Sequence, residues 1–345
     1  MAKTKASDAL RQGGGPGRVR AMVQMGLYED DCGILQDAPP LPNLLSPAKP
    51  PPAPSAAAPS DNAVRLPAWP DEARGVPNVA LRSALFGAIR RGPRQYMDRE
   101  RIASVEGMEV FYTGQRLDQG DLDVWEAVLH FIRQQELGKE CRFTAYAMLK
   151  MLGKADDGRN RELLHKRLLR LRANAVEVRC GRFTYIGGLI DEVFKDEKTH
   201  EYVVVANPRI KVLFERDQFT LIDWAVRLEL AGQPLAQWLH GFYASHAKPY
   251  AYSVAKLYEL CGSEAADLSD WKTKELRKSL DAVAHACEKH GQAFSSEIRG
   301  DLVQVDRQPS KSQRKHLVGK AKKPKTTALR KNAMAPVGDL LKPKK

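Results

Sequence analysis

Two stretches of this 345-residue chain repeat the same order of helix signals, apolar positions and turn residues. Each has a helix start signal, Thr144 in the first stretch and Ser253 in the second, whose hydroxyl can accept a hydrogen bond from the free amides of a first helical turn. Nine residues later each has a glycine, Gly153 or Gly262, at which we expect a left-handed helix C-cap. Because both copies share this internal spacing, the chain is predicted to contain two related helix-turn-helix units.

A longer amphipathic helix is predicted after the turn in both copies. Its apolar positions step by four, three and four residues, which places them on one face. These positions are Leu164, Leu168, Leu171 and Ala175 in the first copy, and Leu276, Leu280, Val283 and Cys287 in the second. Two β-type segments follow each helix, 176–180 with 183–190 and 294–298 with 302–305. This is the element order of a winged helix, in which the longer helix docks in the major groove of DNA.

The expected fold is α+β and helix-rich, with two tandem winged-helix domains at residues 69–222 and 223–318. Residues 1–68 hold a cluster of glycines and then nine prolines between positions 39 and 59. Such a run predicts a disordered, extended linker, because proline fixes φ and lacks a backbone donor. Residues 319–345 are rich in Lys and Pro and predict a disordered basic tail. The alternative for the two repeats is a pair of packed helical hairpins.

Further elements are predicted ahead of the first turn. They are a helix, two strands and a long amphipathic helix, at residues 80–90, 101–105, 109–112 and 117–137. The first helix is indicated by the spacing of Leu81, Leu85 and Ile89. The two strands flank Glu106-Gly107, which suits a tight turn.

The positive charge of the chain is concentrated at its C-terminal end. From Arg307 onward there are 13 Lys and Arg residues against one acid, whereas the whole chain has a net charge of +13. The rest of the chain is therefore nearly neutral. Basic tails of this kind often bind nucleic acid; the alternative is a solvated tail that keeps the protein soluble.

The longer helix of the first copy is the stronger candidate for contact with DNA. Residues 158–182 contain eight Arg or Lys residues and two acids, on the elements that a winged helix presents to DNA. Arginine can bond O6 and N7 of guanine as a bidentate pair, and the remaining cations can neutralise phosphates. The candidates are Arg159, Asn160 (which can also cap the helix), Arg161, His165, Lys166, Arg170, Arg172, Arg179 and Arg182.

The second copy offers a weaker basic surface. Its candidates are Lys272, Lys274, Arg277 and Lys278. Glu275 and Asp281 dilute this charge. This surface is expected either to contact phosphates or to hold a protein partner.

Motifs of nucleotide-dependent and metal-dependent enzymes do not occur. There is no GxxxxGK[ST] segment, and the eight histidines form neither an HExxH motif nor the His-x-His pair expected of a metal-dependent nicking enzyme with a Tyr nucleophile. The five cysteines include no CxxC pair, so neither a zinc site nor a disulfide framework is indicated. We therefore expect a protein that is not an enzyme and needs no cofactor or metal. Without a long apolar run or a signal-peptide stretch, it is expected to be cytoplasmic and not to bind a membrane.

Four stretches resemble the TrfA family of plasmid replication initiators. They are residues 65–78 (RLPAWPDEARGVPN), 112–118 (YTGQRLD), 234–246 (PLAQWLHGFYASH) and 308–314 (QPSKSQR). The resemblance extends over roughly residues 65–318. It implies a tandem winged-helix protein that binds double-stranded origin DNA at directly repeated sites called iterons. The competing functions are a transcriptional repressor on the same scaffold and a nicking enzyme, against which the missing motifs argue.

The resemblance also implies partners. Family members help the host initiator to open the duplex, recruit the replicative helicase and touch the sliding clamp. Monomers are the active form, and dimers are inactive and limit copy number. The clamp contact of the family uses a short motif ending in Leu-Phe, to which Leu81, Ser83, Leu85 and Phe86 are the nearest match, without its leading Gln. Residues 218–222 (QFTLI) have the Gln but not the final Phe. The alternative for both segments is a core helix or strand.

Overall fold

A computed structural model of the chain describes residues 63–89, 92–180, 183–215 and 217–322. These residues belong to one compact unit. The predicted linker lies almost entirely outside them, and so does most of the predicted basic tail. The last helix continues to Lys322, so it includes the first four residues of the segment predicted to be disordered.

Residues 63–223, here called the first half, contain four α-helices and eleven strands among the residues that the structure describes. In order they are β1 (Ala73–Pro77), α1 (Asn78–Leu81), β2 (Phe86–Gly87), β3 (Tyr96–Ile102), β4 (Met108–Gln115), β5 (Leu117–Asp118), α2 (Gln119–Ile132), β6 (Cys141–Thr144), α3 (Ala145–Met151), α4 (Gly158–Arg172), β7 (Ala175–Cys180), β8 (Phe183–Gly187), β9 (Glu192–Lys195), β10 (Glu201–Val205), a 3-10 helix (Pro208–Phe214) and β11 (Phe219–Asp223). Strands β1 and β11 pair with each other and bring the two ends of this half together.

Residues 224–322, here called the second half, contain fewer strands. Their elements are α5 (Trp224–Glu229), α6 (Pro234–Ala244), β12 (Tyr252–Ser253), α7 (Val254–Leu260), α8 (Leu268–Asp270), a π-helical turn (Trp271–Leu276), α9 (Arg277–Lys289), β13 (Phe294–Arg299), β14 (Leu302–Arg307) and α10 (Lys311–Lys322). The π-helical turn joins α8 directly to α9, so the predicted longer helix of the second copy runs over residues 268–289.

The two predicted repeats share one topology. In residues 119–205, the first repeat, β6 precedes the short helix α3 and pairs with β10, which pairs with β9. In residues 234–307, the second repeat, β12 precedes the short helix α7 and pairs with β14, which pairs with β13. All four pairings are antiparallel, so both repeats contain a three-stranded sheet in which the strand before the short helix pairs with the second strand of a later hairpin.

The hairpin of the first repeat is not the one predicted. The sequence indicated residues 176–180 and 183–190, but β7 and β8 join β3 and β4 in a separate four-stranded sheet of order β3-β4-β7-β8. The strands equivalent to β13 and β14 are β9 and β10. The prediction was wrong because a hairpin is recognised locally, whereas the choice of the strand that pairs with β6 depends on contacts distant in sequence.

The predicted helix caps are confirmed. Thr144 accepts a hydrogen bond from the amide of Ala147 at 3.1 Å, and Ser253 accepts one from Lys256 at 3.1 Å. Gly153 and Gly262 have φ values of +63° and +62°, in the left-handed region that favours glycine. The short helix therefore begins and ends in the same way in both repeats.

The predicted apolar stripes are confirmed with one exception. Leu164, Leu168 and Leu171 are buried on α4, and all four predicted positions of the second helix are buried. Ala175 is exposed, because α4 ends at Arg172 and Ala175 begins β7. The buried apolar residues form two clusters, one ending at Trp224 and the other beginning at Val226.

The elements predicted ahead of α2 are partly correct. Strands β3 and β4 form the expected antiparallel pair around the turn, and α2 lies inside the predicted long helix. Only Asn78–Leu81 is helical near the expected helix at 80–90, and β2 then pairs in parallel with β5. The spacing of Leu81, Leu85 and Ile89 reflects burial along a largely extended segment, since all three are buried without sharing one helical face.

Candidate nucleic-acid interface

The face of α4 opposite its buried leucines is exposed. Arg159 and Lys166 lie on it. Leu163 and Leu169 are also exposed on this helix. Lys166 forms an ion pair with Glu162, with 2.7 Å between Nζ and Oε1. Exposed pairs of this i,i+4 kind contribute little to stability, so Lys166 can exchange Glu162 for a phosphate or a base edge at little cost.

Arg161 is already engaged within the protein. Its Nε and Nη2 atoms donate to both carboxylate oxygens of Asp156, at 2.6 and 2.7 Å. This hydrogen bond and the charge of Asp156 raise the pKa of Arg161 above its usual value. The guanidinium group that would bond guanine is therefore already engaged, and Arg161 must leave Asp156 before it can contact a base.

Asn160 supports the turn before α4 and does not cap the helix. Asp157 is the N-cap residue, and its carboxylate accepts from the amide of Asn160 at 2.8 Å. The side chain of Asn160 donates to the carbonyl of Ala155 at 2.9 Å. The predicted capping role was wrong because an acidic residue three positions earlier satisfies the free amide and favours the positive end of the helix.

Arg170, one of the predicted DNA-contacting residues, points into the protein. Its Nη2 lies 2.7 Å from Oδ1 of Asp121 on α2, and Asp121 is fully buried. Arg167, which was not predicted, lies on the same side of α4, 3.7 Å from that carboxylate. Arg172 is exposed at the end of the helix.

Arg179 and the hairpin around it belong to the four-stranded sheet. Arg179 is exposed on β7, where it pairs with Glu177 at 2.5 Å and Glu109 at 3.5 Å and lies over the ring of Phe111. It is therefore not part of the hairpin equivalent to β13 and β14. Arg182 lies outside the described residues.

The hairpin β9–β10 carries basic residues that the sequence analysis missed. Lys195, Lys198 and His200 are exposed at its turn. Asp196 accepts hydrogen bonds from the amides of Lys198 and Thr199 at 2.9 and 3.2 Å. This Asp-initiated turn is the sequence signal that could have located the hairpin.

Both longer helices are tied to the sheet that follows them. In the first repeat, Nδ1 of His165 lies 3.2 Å from the hydroxyl of Tyr202 on β10. In the second, Nζ of Lys272 lies 2.7 Å from the carbonyl of Gly300 and 3.0 Å from Asp301, at the turn between β13 and β14. His165 and Lys272 thus each connect a longer helix with its hairpin, His165 at a strand and Lys272 at the turn.

Arg277 and Lys278 carry the exposed positive charge at the start of α9. Lys274, one turn earlier, pairs with Asp270 at 2.8 Å, and this raises its pKa. The second helix therefore offers fewer unengaged cations than the predicted set of four.

The segment predicted to contact the sliding clamp is buried. Leu81, Ser83, Leu85 and Phe86 are each at most 3% exposed. The carbonyl of Ser83 accepts from Trp238 Nε1 on α6 at 3.2 Å. These side chains cannot meet a partner in this fold, because the segment is packed between the rest of the first half and α6. Residues 219–223 form β11 and also lie in a paired strand.

No group of three or more His, Cys, Asp or Glu side chains within residues 63–322, as far as these are described, could hold a metal ion. Cys141, Cys261 and Cys287 are buried and free. None of the described helices is long and apolar enough to cross a membrane.

Comparison with known sequences decides the family. Residues 62–307 match the model of the family described as TrfA protein. The chain belongs to the TrfA family. Among its relatives, the plasmid replication initiator protein TrfA of Escherichia coli is 27% identical over 250 residues. That match covers 69% of this chain and 63% of the relative, so this member of the TrfA family spans less than two thirds of the relative's length.

Two solved structures match part of this chain. Domains 2 and 3 of RctB match with a TM-score of 0.43 and 12% identity, over 63% of this chain and 92% of that one. The Pi initiator protein in complex with iteron DNA matches with a TM-score of 0.41 and 11% identity, over 55% of this chain and 91% of that one.

Proposed function

We propose that this TrfA-family chain is a plasmid replication initiator that binds directly repeated iteron sites in origin DNA through two tandem winged-helix units. The observation that carries the proposal is the repeated topology: in each repeat a capped short helix, a left-handed glycine turn and a longer helix lie beside a sheet of the same strand order. A helix-turn-helix presents its second helix to the major groove. Two such helices in one chain suit a composite site.

The two units divide the work unequally. Arg159 and Lys166 on α4 are the base-reading candidates of the first unit. Arg277 and Lys278 on α9 contact mainly phosphates in the second. Basic residues of the hairpin β9–β10 and of the C-terminal tail add phosphate contacts, which position the protein without reading sequence.

The protein acts in the cytoplasm by binding and by opening A+T-rich DNA, without catalysis of its own. It does so with the host initiator, the replicative helicase and the sliding clamp, as a monomer in equilibrium with an inactive dimer. The clamp contact then uses a surface other than the buried segment at Leu81–Phe86, because that segment is inaccessible.

The deciding experiment is replication in trans. A plasmid that carries only the candidate origin and a resistance marker is introduced into cells that express the chain from a second replicon. We expect the origin plasmid to be maintained with the wild-type chain and lost with the double variant Arg159→Ala/Lys166→Ala. Lys139→Ala, an exposed lysine outside both longer helices, is the matched control and should support replication.

Two outcomes would favour other functions. Binding to the origin and repression of a nearby promoter without plasmid maintenance would identify a repressor. A magnesium-dependent nick in supercoiled origin DNA, abolished by one Tyr substitution, would identify a nicking enzyme.

A further inference from the structure

The turn of the second helix-turn-helix, at residues 261–264, is hydrogen-bonded to the first half of the chain. The amide of Ala88 donates to the carbonyl of Cys261 at 2.7 Å. Arg116 Nη2 donates to the carbonyl of Gly262 at 2.5 Å, and Arg116 Nη1 lies 2.6 Å from Oε1 of Glu264. One guanidinium thus bonds both the left-handed glycine of the turn and the acidic residue two positions later.

The approach at Gly262 leaves no room for a side chain unless Arg116 moves. A Cβ added to Gly262 would lie 2.7 Å from Nη2 of Arg116 and 3.0 Å from Cβ of Ala84. At the equivalent Gly153, an added Cβ would meet only Leu228, at 3.6 Å. The left-handed backbone is common to both turns, but the tight contact belongs to the second alone, so the helix-turn-helix itself does not require it.

Arg116 is fixed by its own surroundings. It lies between β4 and β5, and its amide donates to the carbonyl of Gln95 at 2.9 Å. Two residues later Asp118 caps α2 in a capping box with Asp121, and Asp121 also holds Arg170 of α4. Polar contacts on both sides of the short backbone segment 116–118 therefore connect α4 with the turn that precedes α8 and α9.

We propose that Arg116 is a positioning residue that sets the orientation of the second reading helix relative to the first, and thereby the spacing of the two half-sites on DNA. This inference rests on the proposed function. The side chain of Arg116 is 17% exposed, so its bonds to Gly262 and Glu264 are partly shielded from water. Charge-assisted, forked bonds of this kind restrict orientation more than a single contact does. Without them the second half keeps its fold and its reading helix but turns more freely.

The experiment measures spacing tolerance with the full chain. The preferred duplex is first selected from a randomised library, and versions are then made with one or two base pairs inserted or removed between its halves. Each inserted pair rotates the second half-site by about 35°. We expect one inserted pair to weaken wild-type binding about tenfold or more, the cost typical of a mismatch in a site. For Arg116→Ala this penalty should fall to about threefold or less, with weaker binding to the optimal duplex.

Three further variants complete the test. Arg116→Lys keeps the charge and loses the fork, and Glu264→Ala removes one partner; both should show an intermediate spacing penalty. Arg101→Ala, which removes an exposed arginine paired with Glu109, is the matched control and should keep the wild-type penalty. If Arg116→Ala does not fold, the spacing penalties of Arg116→Lys and Glu264→Ala test the proposal.

The outcomes separate the two proposals. A wild-type spacing penalty in Arg116→Ala, or in both Arg116→Lys and Glu264→Ala if the alanine variant does not fold, overturns the positioning role and leaves the proposed function intact. Failure of the wild-type chain to select any duplex with two half-sites overturns the proposed function itself.

Discussion

Arg170 of α4 donates to the buried carboxylate of Asp121 on α2, with 2.7 Å between Nη2 and Oδ1. The other oxygen of Asp121 accepts from the amide of Asp118 at 3.0 Å and completes the capping box of α2. Burial alone would lower the pKa of Arg170, but the hydrogen bond and charge of Asp121 raise it above its usual value. A basic residue on the candidate reading helix therefore joins two helices of the interior.

Replacing Arg170 with alanine should destabilise the protein. Asp121 would remain buried without its main partner, and breaking a buried pair in this way costs about 3–5 kcal/mol. Urea unfolding should show a loss of this order for Arg170→Ala. Arg172→Ala, at an exposed position of the same helix, should change the free energy of unfolding by less than about 0.5 kcal/mol. Equal stability of the two variants would contradict this assignment.

The sequence alone could not distinguish Arg170 from the other basic residues of α4. Periodicity predicted the buried face correctly, because Leu164, Leu168 and Leu171 follow the helical repeat. Whether the residues that flank this stripe are buried depends on which elements pack beside it. The packing of α2 against α4 is a contact distant in sequence, so local periodicity does not predict it. By contrast, Thr144 and Gly153 were sufficient to predict the two ends of the short helix, because helix caps depend only on neighbouring residues.

The outward face of α4 should determine site preference. Arg159→Ala and Lys166→Ala should each reduce discrimination against single-base changes by about 1–3 kcal/mol at the positions they read. Arg161→Ala should have less effect, because Asp156 already binds its guanidinium. Binding of each variant to a panel of single-substitution duplexes measures this. A larger loss with Arg161→Ala would mean that Asp156 releases this arginine on DNA.

The hairpin of the first repeat shows why the sequence predicted strands correctly but not their pairing. Residues 176–187 have strong strand signals and do form a hairpin, but β7 pairs with β4. In the second repeat the equivalent hairpin follows the helix directly, so the same reasoning gave the correct strands. In the first repeat, β7 and β8 are inserted between α4 and β9, so the first hairpin after the longer helix is not the equivalent one.

Buried histidines should make stability fall in acid. His240 is buried, and burial, with the charges of Arg227 and Arg307, lowers its pKa to about 3 from 6.5. Between these values only the unfolded chain binds the proton, so unfolding becomes easier as the pH falls below 6.5. From pH 6.5 to 5 this amounts to at most about 2 kcal/mol. Glu126, whose pKa burial raises to about 7, acts in the opposite direction between pH 7 and 4.5.

The contribution of His240 can be isolated by substitution. Urea unfolding at pH 7 and pH 5 should show a smaller loss of stability for His240→Gln than for the wild-type chain. His285→Gln, at an exposed position, should keep the wild-type dependence. An unchanged dependence in His240→Gln would show that this residue does not contribute.

The C-terminal tail should supply affinity without specificity. Residues 323–345 contain seven Lys or Arg residues and one acid. For each phosphate that the tail neutralises, its removal should reduce the slope of log K against log salt by about 0.9. A chain ending at Lys322 should therefore bind all duplexes more weakly, with a flatter salt dependence, as measured by titration at several salt concentrations. An altered base preference would contradict this division of labour.

The geometry of the DNA site follows from two unlike reading helices in one chain. A symmetric dimer reads a palindrome because its halves are identical. A single chain that presents Arg159 and Lys166 in one unit and Arg277 and Lys278 in the other has no such symmetry, so its site should be asymmetric. Copies of the site should repeat head to tail.

The size and internal pattern of the footprint then follow. Two units on one DNA face reach major grooves about 10–10.5 base pairs apart, so one monomer should protect roughly two helical turns. The half bound by α4 should tolerate fewer base changes than the half bound by α9, because α4 presents base-reading candidates and α9 mainly phosphate contacts. The footprint length and the tolerance of each half are measured by hydroxyl-radical footprinting of an isolated site and its base-substituted versions. The protein is first confirmed as monomeric by sedimentation, and each helix is then mutated in turn. Lys166→Ala should weaken both protection and selectivity in the half bound by α4, whereas Arg277→Ala should weaken protection in the half bound by α9 with little change in selectivity. Protection of a palindrome by a dimer alone would refute this geometry and favour a repressor.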